Sequence, residues 1–343
     1  LPAVGGEPTV AAIQALRADW SGAERLRIVG TDSDADKQAI VALDHFEVAP
    51  RRDSETYVPF LTELCQRQQV AVLWPNSTEE QLALASHYWQ FTALGVRVLA
   101  PPMDAVKIFA DKRQTYEVAA QLGIRVPRWY PVKNWQELCD AAAQLGYPAK
   151  AVVFRRAMGR GGIGLRIVTE RDDLAHQLFE HQPDGKLMPL KALEQFIANS
   201  RLWPAAMVTE FLPGREFDVD CFCSEKGLEA TVIRRNDEMI HGSSWRAETV
   251  ARPDLADASR TLLESVGWRY IASVTFREDE HGLPALVEVN GRMPSSINLS
   301  WKAGCNFPLA ALHMCLARAP IRFKPPQTGV RLVRFFGEAF RIP

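Results

Sequence analysis

Nowhere in its 343 residues does the chain hold an apolar run long enough to cross a bilayer as a helix, which takes about 20 residues. It has no charge bias either. Lys and Arg number 40, Asp and Glu 41, and the net charge of −1 removes any global electrostatic case for nucleic acid or an anionic membrane. The six cysteines (65, 139, 221, 223, 305 and 315) form no CxxC pair and no Cys/His metal spacing, which argues against zinc and for a reduced, cytoplasmic setting. There is no full GxGxxG, no phosphate loop ending in Gly-Lys-Ser/Thr, no internal repeat and no low-complexity tract. The opening Leu1-Pro2-Ala3-Val4-Gly5-Gly6 lacks the basic region and long apolar core of a signal peptide. Without an initiator Met, the numbering reads as starting inside a first strand.

What is present is an ordinary globular mixture, 47% apolar and 24% charged, with room for two or three domains. Residues 1–105 alternate between strand and helix signals. Pro2–Gly6 reads as a strand entering a Gly turn, Thr9–Ala18 as a helix, and Leu26–Gly30 and Phe46–Pro50 as strands. Tyr57–Gln68 reads as a helix and Val70–Pro75 as a buried strand. Ser77 or Thr78 then caps a helix Glu79–Phe91, and Val96–Leu99 forms one more strand. This pattern predicts a Rossmann-like open α/β unit serving as scaffold and substrate wall.

Met103–Leu122 reads as one helix carrying Asp111-Lys112 and ending at Gly123. After a helix over Asn134–Leu145, the strand Ala151–Arg155 runs into Arg156-Ala157-Met158-Gly159-Arg160-Gly161-Gly162-Ile163-Gly164, and Leu165–Val168 returns. Glycine amides approach phosphate oxygens closely because no Cβ intervenes, so this hairpin suits a phosphate-covering flap. A helix is expected over Asp172–Glu180. Strand Ala206–Leu212 is followed by a Pro213-Gly214 turn, and strand Glu216–Cys223 puts Glu216, Asp218 and Asp220 on one face. Such a face is costly unless solvated, paired or metal-bound. Leu228–Arg235 pairs back, and 236–247 reads as a polar loop.

The stretch with most chemistry is Leu286-Val287-Glu288-Val289-Asn290-Gly291-Arg292. In an extended strand Glu288, Asn290 and Arg292 share a face, spaced about 6.5–7 Å apart. The first two supply hard oxygen donors for a divalent cation, and the third a fork for a phosphate oxygen.

The ordered set is Asp-Lys on a helix, a strand into a Gly-rich flap, a strand ending Glu-Phe-Leu, Pro-Gly-x-Glu, and a terminal E-x-N-x-R. It resembles the ATP-grasp superfamily, most closely the half-domains of carbamoyl phosphate synthetase large subunits and related amino-acid ligases. The likeness covers nearly the whole chain, including Tyr147-Pro148 before the flap strand and Phe307-Pro308 after the last motif. It implies a Rossmann-like pre-ATP-grasp domain over 1–105 and an ATP-grasp domain over 106–323. Within the latter the flap subdomain spans about 128–209 and the catalytic subdomain about 210–323, and a C-terminal strand extension covers 324–343. The class is α/β, with an α+β ATP-grasp part.

By resemblance, Lys112 and Arg155 contact ATP phosphates, with Arg155 at a position where the family usually has Lys. Gly159, Gly161 and Gly162 cover the triphosphate. Glu210, Phe211 and Leu212 form the adenine hinge, and Glu216 accepts from the ribose. Glu288 and Asn290 hold Mg²⁺, one or two ions, with Mn²⁺ as a substitute, and Arg292 steadies the transferred phosphate. Thr275 stands where relatives supply another metal ligand. A hydroxyl is a poor direct Mg²⁺ ligand, and Glu278 or Asp218 would have to compensate. Arg246, Ser295, Ser296 and Lys302 are substrate candidates by position. The implied activity is an ATP-dependent carboxylate–amine ligase joining small molecules, amino acids among the candidates, through an acyl phosphate. The implied partners are a small-molecule carboxylate and amine, with no nucleic acid, no membrane and a homodimer by family habit. The alternatives are a carbamoyl- or carboxyphosphate-forming enzyme and an ATP-binding regulator with weak turnover.

Overall fold

The computed structural model describes residues 1–40, 42–159, 162–170, 186–240, 242–335 and 337–340. The helix expected over Asp172–Glu180 lies outside them, as do Gly161 and His241. The chain is α/β and divides into two compact units. Unit 1 comprises Leu1–Phe109, Phe217–Thr275 and Val289–Pro343; unit 2 comprises Ala110–Glu216 and Phe276–Glu288. Among the described residues, no helix is long and apolar enough to cross a membrane.

Unit 1 opens with a helix, Glu7–Asp19. Pro8 suits its first turn, Glu7 faces the positive end of its dipole and Arg17 the negative end. Its Ala11, Ala12, Ile13, Ala15 and Leu16 are buried. Val29–Asp32 and His45–Val48 form one parallel pair, and Val72–Leu73 and Arg97–Val98 another. The open α/β sheet expected from the sequence is therefore split in two. A cavity of about 350 Å³, lined by Leu1, Ile28, Val29, Val70, Leu73 and Trp74 among others, borders both pairs. The expected strand Pro2–Gly6 is irregular. Leu1 donates to the Val29 carbonyl (2.9 Å) and accepts from Thr31 (3.0 Å), as a strand partner would. Ala3 then takes a φ of 50°, which ends the extended path. The helix expected over Glu79–Phe91 is capped by Ser77, whose hydroxyl accepts from Glu80 N, but it stops at Leu84. A 3₁₀ turn, Ala85–His87, tightens and redirects the chain before Tyr88–Ala93 resumes.

The largest sheet runs in the order Pro284–Asn290, Tyr270–Glu278, Glu216–Ser224, Gly227–Ile240, Ser243–Thr249, Arg331–Val333. The polar stretch 236–247, expected to be a loop, is mostly a hairpin. Gly227–Ile240 and Ser243–Thr249 pair antiparallel with irregularities around Glu238, and Gly242 supplies the positive φ at the tip. The polarity there marks a strand pair with a wet side, a pattern that resembles a loop when read without pairing partners.

The acidic strand Glu216–Ser224 is not a solvated face in unit 1. Asp218 and Asp220 are buried, and Arg234 from the next strand bridges them, Nη2 to Asp218 at 2.7 Å and Nη1 to Asp220 at 2.5 Å. Thr275 (2.5 Å) and Asn236 (2.7 Å) also donate to Asp218, while Ser273 (3.0 Å) and Ser300 (2.7 Å) donate to Asp220. Burial opposes the charge on Arg234, yet the two carboxylates hold its pKa above the usual value.

In unit 2, a five-stranded sheet runs in the order Trp129–Val132, Ala206–Glu210, Val152–Arg156, Arg166–Val168, Leu187–Met188. The helix Trp135–Gln144 covers one face. Asn134 caps it by accepting from Glu137 N, and Leu138, Ala141 and Ala142 pack on Val152, Phe154, Val168 and Val208. Strand alternation therefore turns Arg155, and its neighbour Met207, to the opposite face.

Replacing Arg234 by Met leaves two buried carboxylates without their cation. The expected loss is about 3–5 kcal/mol of stability, read from urea unfolding. An unchanged midpoint would mean that the network contributes nothing to stability.

Candidate active site

Three segments distant in sequence bring charged side chains together in unit 2. The first is the start of a helix. Met103–Leu122 does not form one helix; it breaks at Asp111, between Met103–Ala110 and Lys112–Gln121. Asp111 has extended φ/ψ (−108°, 112°), and its carboxylate accepts from Arg113 N at 2.9 Å, the geometry of an N-cap. Burial would raise the Asp111 pKa, but hydrogen bonds from Arg113 bring it below the usual value. Asp111 also bridges to Met158, and Lys112 N donates to the Ala157 carbonyl at 3.0 Å. This fixes Lys112 beside the root of the flap, with its Nζ 3.3 Å from the Gly159 carbonyl.

The second segment is the strand Val152–Arg156, which presents Arg155. The third is the strand Pro284–Asn290, which presents Glu288. Arg155 Nη2 donates to Glu288 Oε2 at 2.9 Å, and Lys112 Nζ stands 3.4 Å from the same oxygen. The side chains of Lys112 and Arg155 are 9% and 10% exposed, that of Glu288 28%. Burial lowers the Lys112 pKa, the Arg155 charge lowers it further, and Glu288 only partly offsets both. Tyr116, one helical turn after Lys112, is buried and donates to the Val287 carbonyl at 2.8 Å. Its ring lies edge-on to Trp129, at 6.0 Å between centroids, and burial pushes its phenol up to about 12.

The flap follows Arg155. Gly159 and Gly162 have φ of 139° and 69°, a region that other residues rarely adopt, and a Cβ on either would meet no atom within 4 Å. Backbone conformation, and not crowding, calls for glycine at both positions.

The other expected nucleotide residues also lie in unit 2, in different surroundings. Glu210 ends the strand beside Val152, and alternation puts its side chain on the face away from Arg155. It pairs with Arg128 at 3.1 Å. Phe211 lies beneath the Arg277 guanidinium at 5.7 Å, Leu212 is buried, and Glu216 stands 3.6 Å from Arg277. Glu278 backs onto the Pro213-Gly214 turn, where Gly214 N donates to its carbonyl at 2.9 Å.

The remaining expectations fall in unit 1. The strand ends at Asn290, so Arg292 lies beyond it and does not complete a three-residue face. Its guanidinium donates to the Met293 carbonyl at 2.9 Å. Thr275 donates to Asp218, which ties both within the buried network. Arg246 sits on the hairpin, exposed, and pairs with Glu238 at 3.1 Å. Lys302 lies over the Trp301 ring at 3.7 Å. The Ser295 carbonyl accepts from Arg334 at 2.6 Å. Ser296 is 1% exposed, and its hydroxyl has no hydrogen-bond partner among the described residues. These four substrate candidates form no shared cluster through the contacts seen.

Sequence reasoning missed Tyr116, Arg277, Arg334 and the Arg234–Asn236 pair. Arg234 and Asn236 have one strand parity and face the Asp218/Asp220 parity next door, a signal available once the two strands are paired. Among the described residues, no three His, Cys, Asp or Glu side chains converge to hold a metal.

Fold and site define an α/β protein in which two shielded cations share one carboxylate beside a glycine flap. Family profiles tile the chain: residues 4–99 match the PylC-like N-terminal domain, 111–202 the carbamoyl-phosphate synthase L chain ATP-binding domain, and 203–336 "ATP-grasp in the biosynthetic pathway with Ter operon". The chain belongs to the ATP-grasp superfamily. Biotin carboxylase from Campylobacter jejuni, solved with β-γ-ATP, is similar at TM-score 0.69 and 15% identity, over 95% of this chain and 72% of that one. N5-carboxyaminoimidazole synthetase from Staphylococcus aureus, complexed with ADP, is similar at TM-score 0.66 and 16% identity, over 93% and 77%. Mitochondrial pyruvate carboxylase from Mus musculus is 23% identical over 209 residues, 58% of this chain but 17% of that protein's length.

Asp111→Ala removes the cap that sets Lys112. The expected loss is about 0.5–2 kcal/mol in urea unfolding. No loss would mean that the helix start is held by other contacts.

Proposed function

We propose that the chain is an ATP-dependent carboxylate–amine ligase acting on small molecules. It would join a carboxylate to an amine through an acyl phosphate and release ADP and phosphate. The observation that carries this reading is the shielded Lys112–Arg155 pair converging on Glu288 at the root of the flap. The surrounding chain contains the rest of an ATP-grasp sequence in order. The domain division 1–105, 106–323 and 324–343 and the site roles set out above belong to the same proposal.

The donor set fits the nucleotide. Lys112 and Arg155 are cations with restricted water access, where charge on a phosphate is best stabilised. Glu288 and Asn290 are hard oxygen donors two positions apart on one strand, suited to one Mg²⁺. A second ion has less support, because Thr275 donates its hydroxyl to Asp218. When bound, the ion supplies charge neutralisation for the phosphates.

The chain's own residues do the remaining work. The Arg155 fork and the Lys112 ammonium orient the γ-phosphate for in-line attack by the substrate carboxylate. The glycine flap closes over the phosphates, and exclusion of water protects the acyl phosphate until the amine displaces phosphate. Arg292, which donates to the Met293 carbonyl, is assigned by the resemblance to steadying the transferred phosphate. A cytoplasmic setting is supported by six free thiols. Assembly as a homodimer belongs to the same proposal.

A second reading, an ATP-binding regulator with weak turnover, rests on Thr275. Incubation with Mg²⁺ and ATP against pools of carboxylates and amines separates the two. Pool-dependent ADP release that falls at least about 100-fold in Glu288→Ala, the size seen when one charge-stabilising group is removed, supports the ligase. Tight ATP binding with no release for any pool sinks it in favour of the regulator.

A further inference from the structure

Residues 211–215, between the strands Ala206–Glu210 and Glu216–Ser224, belong to no strand or helix, so their position is set by other contacts. Within unit 2 these come from the end of the strand Tyr270–Glu278, which is buried from Ile271 to Phe276 and emerges at Arg277. Gly214 N donates to the Glu278 carbonyl at 2.9 Å, and Glu278 N donates to the Arg215 carbonyl at 2.9 Å. A Cβ on Gly214 would lie 2.7 Å from the Glu278 Cβ, so only glycine permits this approach. Arg277 adds three side-chain contacts. Its Nε donates to the Gly214 carbonyl at 3.2 Å, its Nη1 stands 3.6 Å from Glu216 Oε2, and its guanidinium carbon lies 5.7 Å from the centre of the Phe211 ring. The ligase reading assigns Phe211 to the adenine hinge and Glu216 to the ribose. Resting on that reading, we infer that Arg277 is the positioning residue for the nucleoside end of the site. The preference of this chain for a ribonucleotide over its deoxy counterpart depends on it.

Stability does not explain the arrangement. The side chains of Arg277 and Glu216 are 35% and 21% exposed, and a partly exposed ion pair at 3.6 Å contributes little to folding. What the guanidinium adds is shape. A rigid planar fork offers one edge to a carbonyl, another to a carboxylate and a face to an aromatic ring at the same time, which a lysine ammonium does not. Because the three contacts belong to one hinge, Arg277 sets where Phe211 and Glu216 lie relative to each other. A carboxylate has about four acceptor sites, so the Arg277 contact leaves room for hydroxyl donors. Discrimination follows from restraint. A carboxylate free to swing into water loses little when a ligand lacks a hydroxyl, because water replaces it. One held at the hinge is left with an unmet acceptor, and the deoxy ligand bears that cost.

The test measures binding, not turnover. Dissociation constants of ATP, 2′,3′-dideoxy-ATP and inorganic tripolyphosphate are taken by calorimetry with Mg²⁺, carboxylate and amine being withheld, for the wild-type chain, Arg277→Met and Arg277→Lys. Wild type is expected to favour ATP over the dideoxy nucleotide by about 10- to 150-fold, the span of a hydrogen bond to a charged group. Arg277→Met keeps an apolar stem and loses the fork. Its preference is expected to fall below about threefold, through weaker ATP binding, with tripolyphosphate affinity unchanged. Arg277→Lys keeps the charge without the fork and is expected to follow Arg277→Met. Should Arg277→Met fail to fold by circular dichroism, Arg277→Gln takes its place with the same expectation. A preference retained in the variants overturns the role of Arg277, as does parallel weakening of all three ligands, which marks a merely structural contact. Wild-type binding of ATP and the dideoxy nucleotide with equal affinity also overturns it and leaves the ligase reading standing. A wild-type chain that binds neither nucleotide overturns that reading, and the inference with it.

Discussion

A single carboxylate between two shielded cations is the constraint on which the site depends. Lys112, Arg155 and Glu288 come from a helix start, a strand interior and a strand near its end, and each is held by backbone geometry close to it. Asp111 caps the helix so that its first residue turns to the flap root. Alternation along Val152–Arg156 sends Arg155 away from the packed face of its sheet. Tyr116 ties the Lys112 helix to the Val287 carbonyl, one residue from Glu288. Without any of these, charged groups would be held away from water without a partner, which a folded chain tolerates poorly.

The second charged set, Asp218–Arg234–Asp220, shows the same chemistry put to another use. Its side chains are 1–8% exposed, and neutral donors, Thr275, Asn236, Ser273 and Ser300, surround both carboxylates. Glu288, at 28%, is the more open carboxylate. One set is closed by its own side chains and holds strands together. The other keeps a carboxylate within reach of solvent. Thr275 belongs to the closed set, its hydroxyl committed to Asp218.

Much of this was legible in the residues. The glycine flap, the Glu288/Asn290 parity and the Asp-Lys pair follow from backbone freedom and strand alternation, which are local properties. What misled was also local. The Met103–Leu122 periodicity runs through Asp111 without signalling that its carboxylate would turn back and cap. The polarity of 236–247 reads as loop because a hairpin with a wet side has the same composition. Arg292 continues the alternation of Glu288 and Asn290 on paper, but the strand ends at Asn290, before it reaches Arg292.

The sequence by itself determined the family, most of its strands and helices and the chemical character of the side chains on each motif, because these rest on residue type and on periods of two and 3.6 residues. Only the tertiary structure decided which charges meet. It gave Glu288 to Lys112 and Arg155, Asp218 and Asp220 to Arg234, Glu216 to Arg277, and Thr275 to Asp218. Ion pairs between side chains on different strands and helices carry no local signature. They are chosen when packing removes water and leaves opposite charges within reach of one another.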